Sequence, residues 1–180
     1  MTVQTVAVVG AGTMGNGIAH VFALHGYETT LIDLDESLLE EARDTIEQNL
    51  ARQVEKDAIA PADRADALDR LTVTPNTASG VAAADLVVEA VPEERPLKSD
   101  VFETLDDHAP DDTILASNTS SISITWIGSQ TDRPDRVVGM HFFNPVPVMT
   151  LVEVVRGQRT SDATYDVVAD VADDLGKHPV

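Results

Sequence analysis

Thr5-Val6-Ala7-Val8-Val9 runs straight into Gly10-Ala11-Gly12-Thr13-Met14-Gly15, and a helical apolar period follows at once. Few junctions restrict a fold as tightly. An uninterrupted β-branched run reads as a strand buried on both faces, hence a central strand of a parallel sheet. A G-x-G-x-x-G turn between such a strand and a helix suits close backbone approach to a diphosphate. Gly10 permits the tight turn, Gly12 brings backbone to the ligand, and Gly15 lets helix and strand pack closely. Thr13 and Met14 open a helix whose free N–H groups and positive dipole end attract phosphate. Met14, Ile18, Val21, Phe22 and His25 predict that helix over 13–25, with Gly26 as its stop.

The alternation continues along the chain. Residues 28–32 read as a second strand. Leu38, Leu39, Ala42, Ile46, Leu50 and Val54 share one face of a long helix over 36–55, and Pro61 opens a short charged helix over 62–70. Strands are expected at 71–74, 85–91, 113–116, 136–140 and 151–155. Helices are expected at 93–107, 122–128 and 161–175. This order specifies an α/β fold with a mostly parallel, doubly wound sheet, and 180 residues suit one domain.

Composition narrows the partners. Thirty-one acidic and 12 basic side chains give a net charge of -19, which argues against nucleic acid and against an anionic membrane surface. The absence of cysteine excludes disulfides, thiolate metal sites and cysteine nucleophiles, and no metal is expected at the site. No stretch approaches a membrane span, and Met1 to Thr5 carry no basic leader, so a cytoplasmic address is expected. Twenty of the acids are Asp, while only Lys56, Lys98 and Lys177 are lysines. Acidic pairs are dispersed rather than blocked. They describe either an ordinary solvated surface or a chain suited to high salt, where screening relieves mutual repulsion.

Three further features point to chemistry. Asp33 ends the second strand 18 residues after Gly15, where an acid can accept hydrogen bonds from an adenosine ribose. Leu34, Asp35 and Glu36 follow with no Arg for a 2′-phosphate, which favours NAD over NADP. Ser117-Asn118-Thr119-Ser120-Ser121 follows the fifth strand, either as a ligand-binding turn or as a helix cap. His141 follows the sixth strand and opens a Pro-locked loop; Glu153 lies 12 residues on, in an apolar strand. A carboxylate buried there is costly unless paired, and His141 is the evident partner. Such a pair could take a hydroxyl proton while hydride leaves the same carbon for a nicotinamide.

These segments resemble the NAD-binding domain of the L-3-hydroxyacyl-CoA dehydrogenases, including bacterial 3-hydroxybutyryl-CoA dehydrogenases. The resemblance rests on Val8 to Gly15, Asp85 to Ala90, Ser117 to Ser121 and, above all, His141-Phe142-Phe143-Asn144-Pro145-Val146-Pro147-Val148-Met149 with Leu151-Val152-Glu153-Val154. It covers nearly the whole chain. It implies a Rossmann-type fold, NAD as cofactor and an acyl-CoA substrate whose 3-hydroxyl is oxidised, as in fatty-acid β-oxidation, or the reverse reduction. By the same resemblance His141 is the base, Glu153 its partner, Ser120 the serine on the substrate oxygen and Asn144 the asparagine at nicotinamide and substrate. Glu93 and Lys98 correspond to cofactor-contacting residues, and Lys56 lies near the CoA-contacting ones.

The family continues beyond such a domain with a helical one that closes the cleft and carries the dimer contact. Gly176-Lys177-His178-Pro179-Val180 resembles the start of a further strand, so a truncated cofactor domain is expected, with a homodimer as the full-length form. Two alternatives stay open: a non-catalytic dinucleotide-binding module, and a dehydrogenase of a small hydroxy acid without CoA.

Overall fold

Val6 and Val8 face one side of the first strand and Ala7 and Val9 the other, and all four are buried. The computed structural model, which describes residues 2–180, therefore has two apolar layers around one sheet. Its strands are β1 (Thr5–Val9), β2 (Glu28–Ile32), β3 (Leu71–Thr74), β4 (Leu86–Glu89), β5 (Ile114–Ser117), β6 (Val137–Phe142), β7 (Leu151–Arg156) and β8 (His178–Pro179). They lie in the order β3-β2-β1-β4-β5-β6-β7-β8, and every neighbouring pair is parallel except β6 with β7. The sheet is thus mostly parallel and doubly wound, as the alternating pattern implied.

One face is covered by α1 (Thr13–Leu24), α2 (Glu36–Glu55), α3 (Pro61–Arg70) and α7 (Asp162–Asp174); the other by α4 (Thr77–Val81), α5 (Arg95–His108) and α6 (Ile124–Gly128). The helix α1 is buried almost all round because it lies between the sheet and the α2–α3 pair. By contrast, α2 buries only Leu39, Ala42, Ile46 and Leu50, so Leu38 of the expected apolar face turns outward instead.

Several boundaries differ from the sequence pattern for local reasons. Asp85 lies outside β4; its carboxylate accepts the backbone N–H groups of Gln4 (2.8 Å) and Thr5 (2.9 Å) and fixes the start of β1. Asn76 does not merely end β3. It caps α4, accepting from the Ser79 N–H at 3.0 Å, and this five-residue helix has too few apolar positions to show a period. Most importantly, β6 extends to Phe142, so His141 sits within a strand rather than after one.

His20 is the unusual member of the core. It is buried on α1 with Nε2 3.1 Å from Gln53 Nε2, and its Nδ1 has no partner. Burial lowers its pKa to about 4, the Gln53 bond opposes that shift, and the His25 and Lys177 charges add to it. The folded chain therefore holds His20 neutral while the unfolded chain protonates it near 6.5. Its contribution is complete above 6.5 and is lost as pH falls toward 4. His20→Gln should remove roughly 3 kcal/mol of acid destabilisation across that window, visible as a flatter curve of unfolding free energy against pH; parallel curves for the two proteins would contradict this.

Candidate active site

In a doubly wound sheet the crevice opens where neighbouring strands send their helices to opposite faces, which here is between β1 and β4. A cleft of about 970 Å³ lies there, along the C-terminal strand ends. Gly10, Gly12, Thr13, Met14, Asp33, Glu93, Ser120, His141 and Asn144 all line it.

The glycine turn forms the floor. Gly10 has φ 103°, a conformation costly for other residues, and any Cβ there would meet the Ala90 carbonyl oxygen at 2.7 Å. Gly15 is buried rather than cleft-lining; a Cβ on it would overlap the Gly10 carbonyl. The first turn of α1 carries neither a side-chain cap nor an acidic residue, which leaves its N–H groups for an anion. Asp33 holds this turn in shape. Its Oδ2 accepts the Ala11 N–H at 2.8 Å and its Oδ1 the Asp35 N–H at 3.0 Å, and the carboxylate still borders the cleft.

Beside the floor, two carboxylates organise the ends of β4 and β5. Glu89 is fully buried. It accepts from Lys98 Nζ (2.6 Å), the Val91 N–H (2.8 Å) and Ser117 Oγ (2.6 Å), so the desolvation of this ion pair is offset by a closed set of hydrogen bonds. Above it, Glu93 Oε1 accepts from the Thr119 and Ser121 hydroxyls and the Ser120 and Ser121 N–H groups, while Oε2 lies 3.4 Å from Lys98. Desolvation opposes ionisation of Glu93, but the Thr119 and Ser121 bonds and the Lys98 charge outweigh it and lower its pKa to about 2. Ser120 lines the cleft, and its hydroxyl makes no hydrogen bond among the described residues.

The far wall comes from the antiparallel pair β6–β7, whose register sets His141 directly opposite Glu153. His141 Nδ1 lies 2.7 Å from Glu153 Oε2, and the Phe143 ring packs on the imidazole at 4.7 Å between centroids. The pair is close, but Glu153 is not the buried acid that its apolar strand suggested: its side chain is 45% exposed, against 17% for His141. The carboxylate is open to solvent although Val152 and Val154 on either side of it are buried. Asn144 lies in the loop that follows β6. Val146 packs on Gly17 of α1, and Lys177 Nζ donates to the carbonyls of Val146 and Met149, both at 2.7 Å.

The match to known families fits this geometry. Residues 5–180 match the model of the "3-hydroxyacyl-CoA dehydrogenase, NAD binding domain" family. The chain belongs to this family. It is 44% identical over 174 residues to the 3-hydroxybutyryl-CoA dehydrogenase of Clostridioides difficile, covering 97% of this chain and 62% of that one. It is 42% identical over 183 residues to the human mitochondrial hydroxyacyl-coenzyme A dehydrogenase, covering 99% and 58%. The crystal structure of (S)-3-hydroxybutyryl-CoA dehydrogenase from Ralstonia eutropha superposes with a TM-score of 0.96 at 42% identity, over 99% of this chain and 63% of that one. The chain thus spans about 60% of the length of these relatives. NAD is the cofactor that the family description names.

Lys98 and Lys56, both assigned by resemblance, lie away from the cleft wall. Lys98 is 1% exposed and does not line the cleft; it touches Glu89 and Glu93 from beneath. Lys56 is an exposed residue at the C-terminal cap of α2, and it does not line the cleft either. Sequence reasoning missed Glu89, Ser117, Asn118 and Lys177 as organisers. The signal available was a polar residue ending an otherwise apolar strand, Glu89 in β4 and Ser117 in β5. Glu93→Gln should lower the melting temperature most above the ordinary carboxylate value of 4.5, where the unfolded side chain is ionised too. The difference from wild type should shrink as pH falls toward 2 and Glu93 protonates; a gap that widens on acidification would contradict the assignment.

Proposed function

We propose that this domain holds NAD and the proton-transferring half of a site that oxidises an L-3-hydroxyacyl-CoA to the 3-ketoacyl-CoA, or reduces it in reverse. The observation that carries this reading is the His141–Glu153 contact at 2.7 Å, with the imidazole in the same cleft as the glycine turn. An unpaired histidine there would be an ordinary polar wall; one fixed by a carboxylate is set up for proton transfer.

The residues fit a dinucleotide. The uncapped first turn of α1 suits its diphosphate, and Asp33 suits the adenosine ribose, with exposed Leu34 and acidic Asp35 next to it instead of a cation. NAD, when bound, supplies the hydride acceptor. The chain's own part is the proton. With Nδ1 facing Glu153, Nδ1 carries the hydrogen and Nε2 keeps its lone pair for the cleft. Nε2 takes the 3-hydroxyl proton as the carbon is oxidised, and Glu153 stabilises the imidazolium formed. Ser120 donates its free hydroxyl to the oxygen that becomes the ketone, held by the Glu93 bond to its backbone. Asn144, which lines the same cleft, would contact the substrate and nicotinamide.

His141→Gln in the whole protein should slow acetoacetyl-CoA reduction by NADH by roughly 10²–10⁴-fold. NADH binding by the domain, read by fluorescence, should be unchanged. An unaltered rate removes His141 from this role, and equal rates on free 3-keto acids and CoA thioesters would favour a dehydrogenase that acts without CoA.

We also infer adaptation to a salty milieu. Lys98 and Lys177 are buried, as is one acid, Glu89, so the surface keeps 30 acidic side chains to 10 basic ones. Screening should relieve its self-repulsion. The melting temperature is expected to rise by several degrees between low and molar KCl; a flat or falling profile would rule the inference out.

A further inference from the structure

The ladder between β5 and β6 ends at Ser117 and Gly139, yet the two strands stay joined beyond it through a side chain. Asn118 Oδ1 accepts the Phe142 backbone N–H at 2.8 Å, while the Asn118 N–H donates to the Glu89 carbonyl at 2.8 Å. Asn118 therefore spans the ends of β4, β5 and β6. The orientation of its amide follows from donor chemistry. A backbone N–H can only donate, so the oxygen faces Phe142 and the NH₂ group points away.

That NH₂ group has no acceptor among the described residues. Nor is it sealed in: the fully buried side-chain atoms without partners are His20 Nδ1 and Arg64 Nε. Asn118 lines the cleft beside Ser120, His141 and Asn144, so Nδ2 opens into it. Resting on the cofactor reading above, we propose that Asn118 is a binding residue for the nicotinamide half of the dinucleotide. Its NH₂ donates to an oxygen there, either a hydroxyl of the second ribose or the carboxamide carbonyl.

Strand order supports the choice of half. Asp33 follows β2 and Asn118 follows β5, with β1 and β4 between them. Three strand spacings of about 4.8 Å put the two residues roughly 14 Å apart across the mouth of the sheet. That is the reach of an extended dinucleotide, not of its adenosine alone. The donor is also fixed in advance, because the Phe142 bond removes the rotation the amide would otherwise lose on binding.

Asn118→Asp separates the two roles of the side chain. It keeps an oxygen for the Phe142 N–H and replaces the donor with an acceptor. Binding of ADP, ADP-ribose and NADH to the wild-type and variant domains, measured by calorimetry, gives the test. ADP lacks the nicotinamide-side ribose and reports whether the fold and the diphosphate site are intact. The variant should bind NADH roughly tenfold more weakly, with ADP affinity within about twofold of wild type. Weakening of ADP-ribose as well places the donor on the ribose; weakening of NADH alone places it on the carboxamide. Equal NADH affinity in the two proteins overturns the proposal, as does an equal loss for ADP and NADH. Failure of the wild-type domain to bind NADH at all overturns the cofactor reading itself.

Discussion

One strand runs against its neighbour, and the contact between His141 and Glu153 depends on that reversal. In an antiparallel pair, residues directly opposite bring their Cβ atoms to about 4.5–5.5 Å, close enough for an imidazole and a carboxylate to bond without bending the chain. The β6–β7 register pairs His141 with Glu153 in this way. A slip of one residue would turn Glu153 to the other face of the sheet. Val152 and Val154 prevent it, because both are buried and each flanks Glu153 in the strand. The apolar neighbours of Glu153 thus set the position of a polar group on the opposite face of the strand.

A second constraint lies under the glycine turn. Glu89, Lys98 and Ser117 place an ion pair and a hydroxyl where the ends of β4 and β5 would otherwise be purely apolar. Removing one partner alone would leave a buried charge unanswered, a change that costs about 3–5 kcal/mol in comparable pairs. Lys98 also faces Glu93, and Glu93 grips the backbone of Ser120. The position of a cleft hydroxyl is in this way coupled to a buried cation two contacts away.

Much of this was legible in the residues. The run Thr5–Val9 with its glycines placed β1, α1 and the crevice, because a strand buried on both faces has almost one solution in a chain this size. The spacing of Asp33 from the turn fixed the far end of the cleft. His141 and Glu153 were legible as a pair, but their environment was not. Apolar neighbours suggested burial, but in a strand successive side chains face opposite sides, so Val152 and Val154 are buried while Glu153, on the His141 side, stays half exposed. Asn118, Glu89 and Lys177 were invisible as organisers for a different reason. Each acts through a contact with a residue at least nine positions away, to a backbone or side-chain group that no local pattern marks.

Proton transfer at this cleft turns on which imidazole nitrogen of His141 carries the hydrogen. Nitrogen-15 NMR of the ring reads this directly. The structure predicts the Nδ1–H tautomer, with Nε2 unprotonated and open to the cleft. An Nε2–H tautomer would mean that Glu153 does not hold the ring, and would leave the cleft a place for a nucleotide without a base beside it.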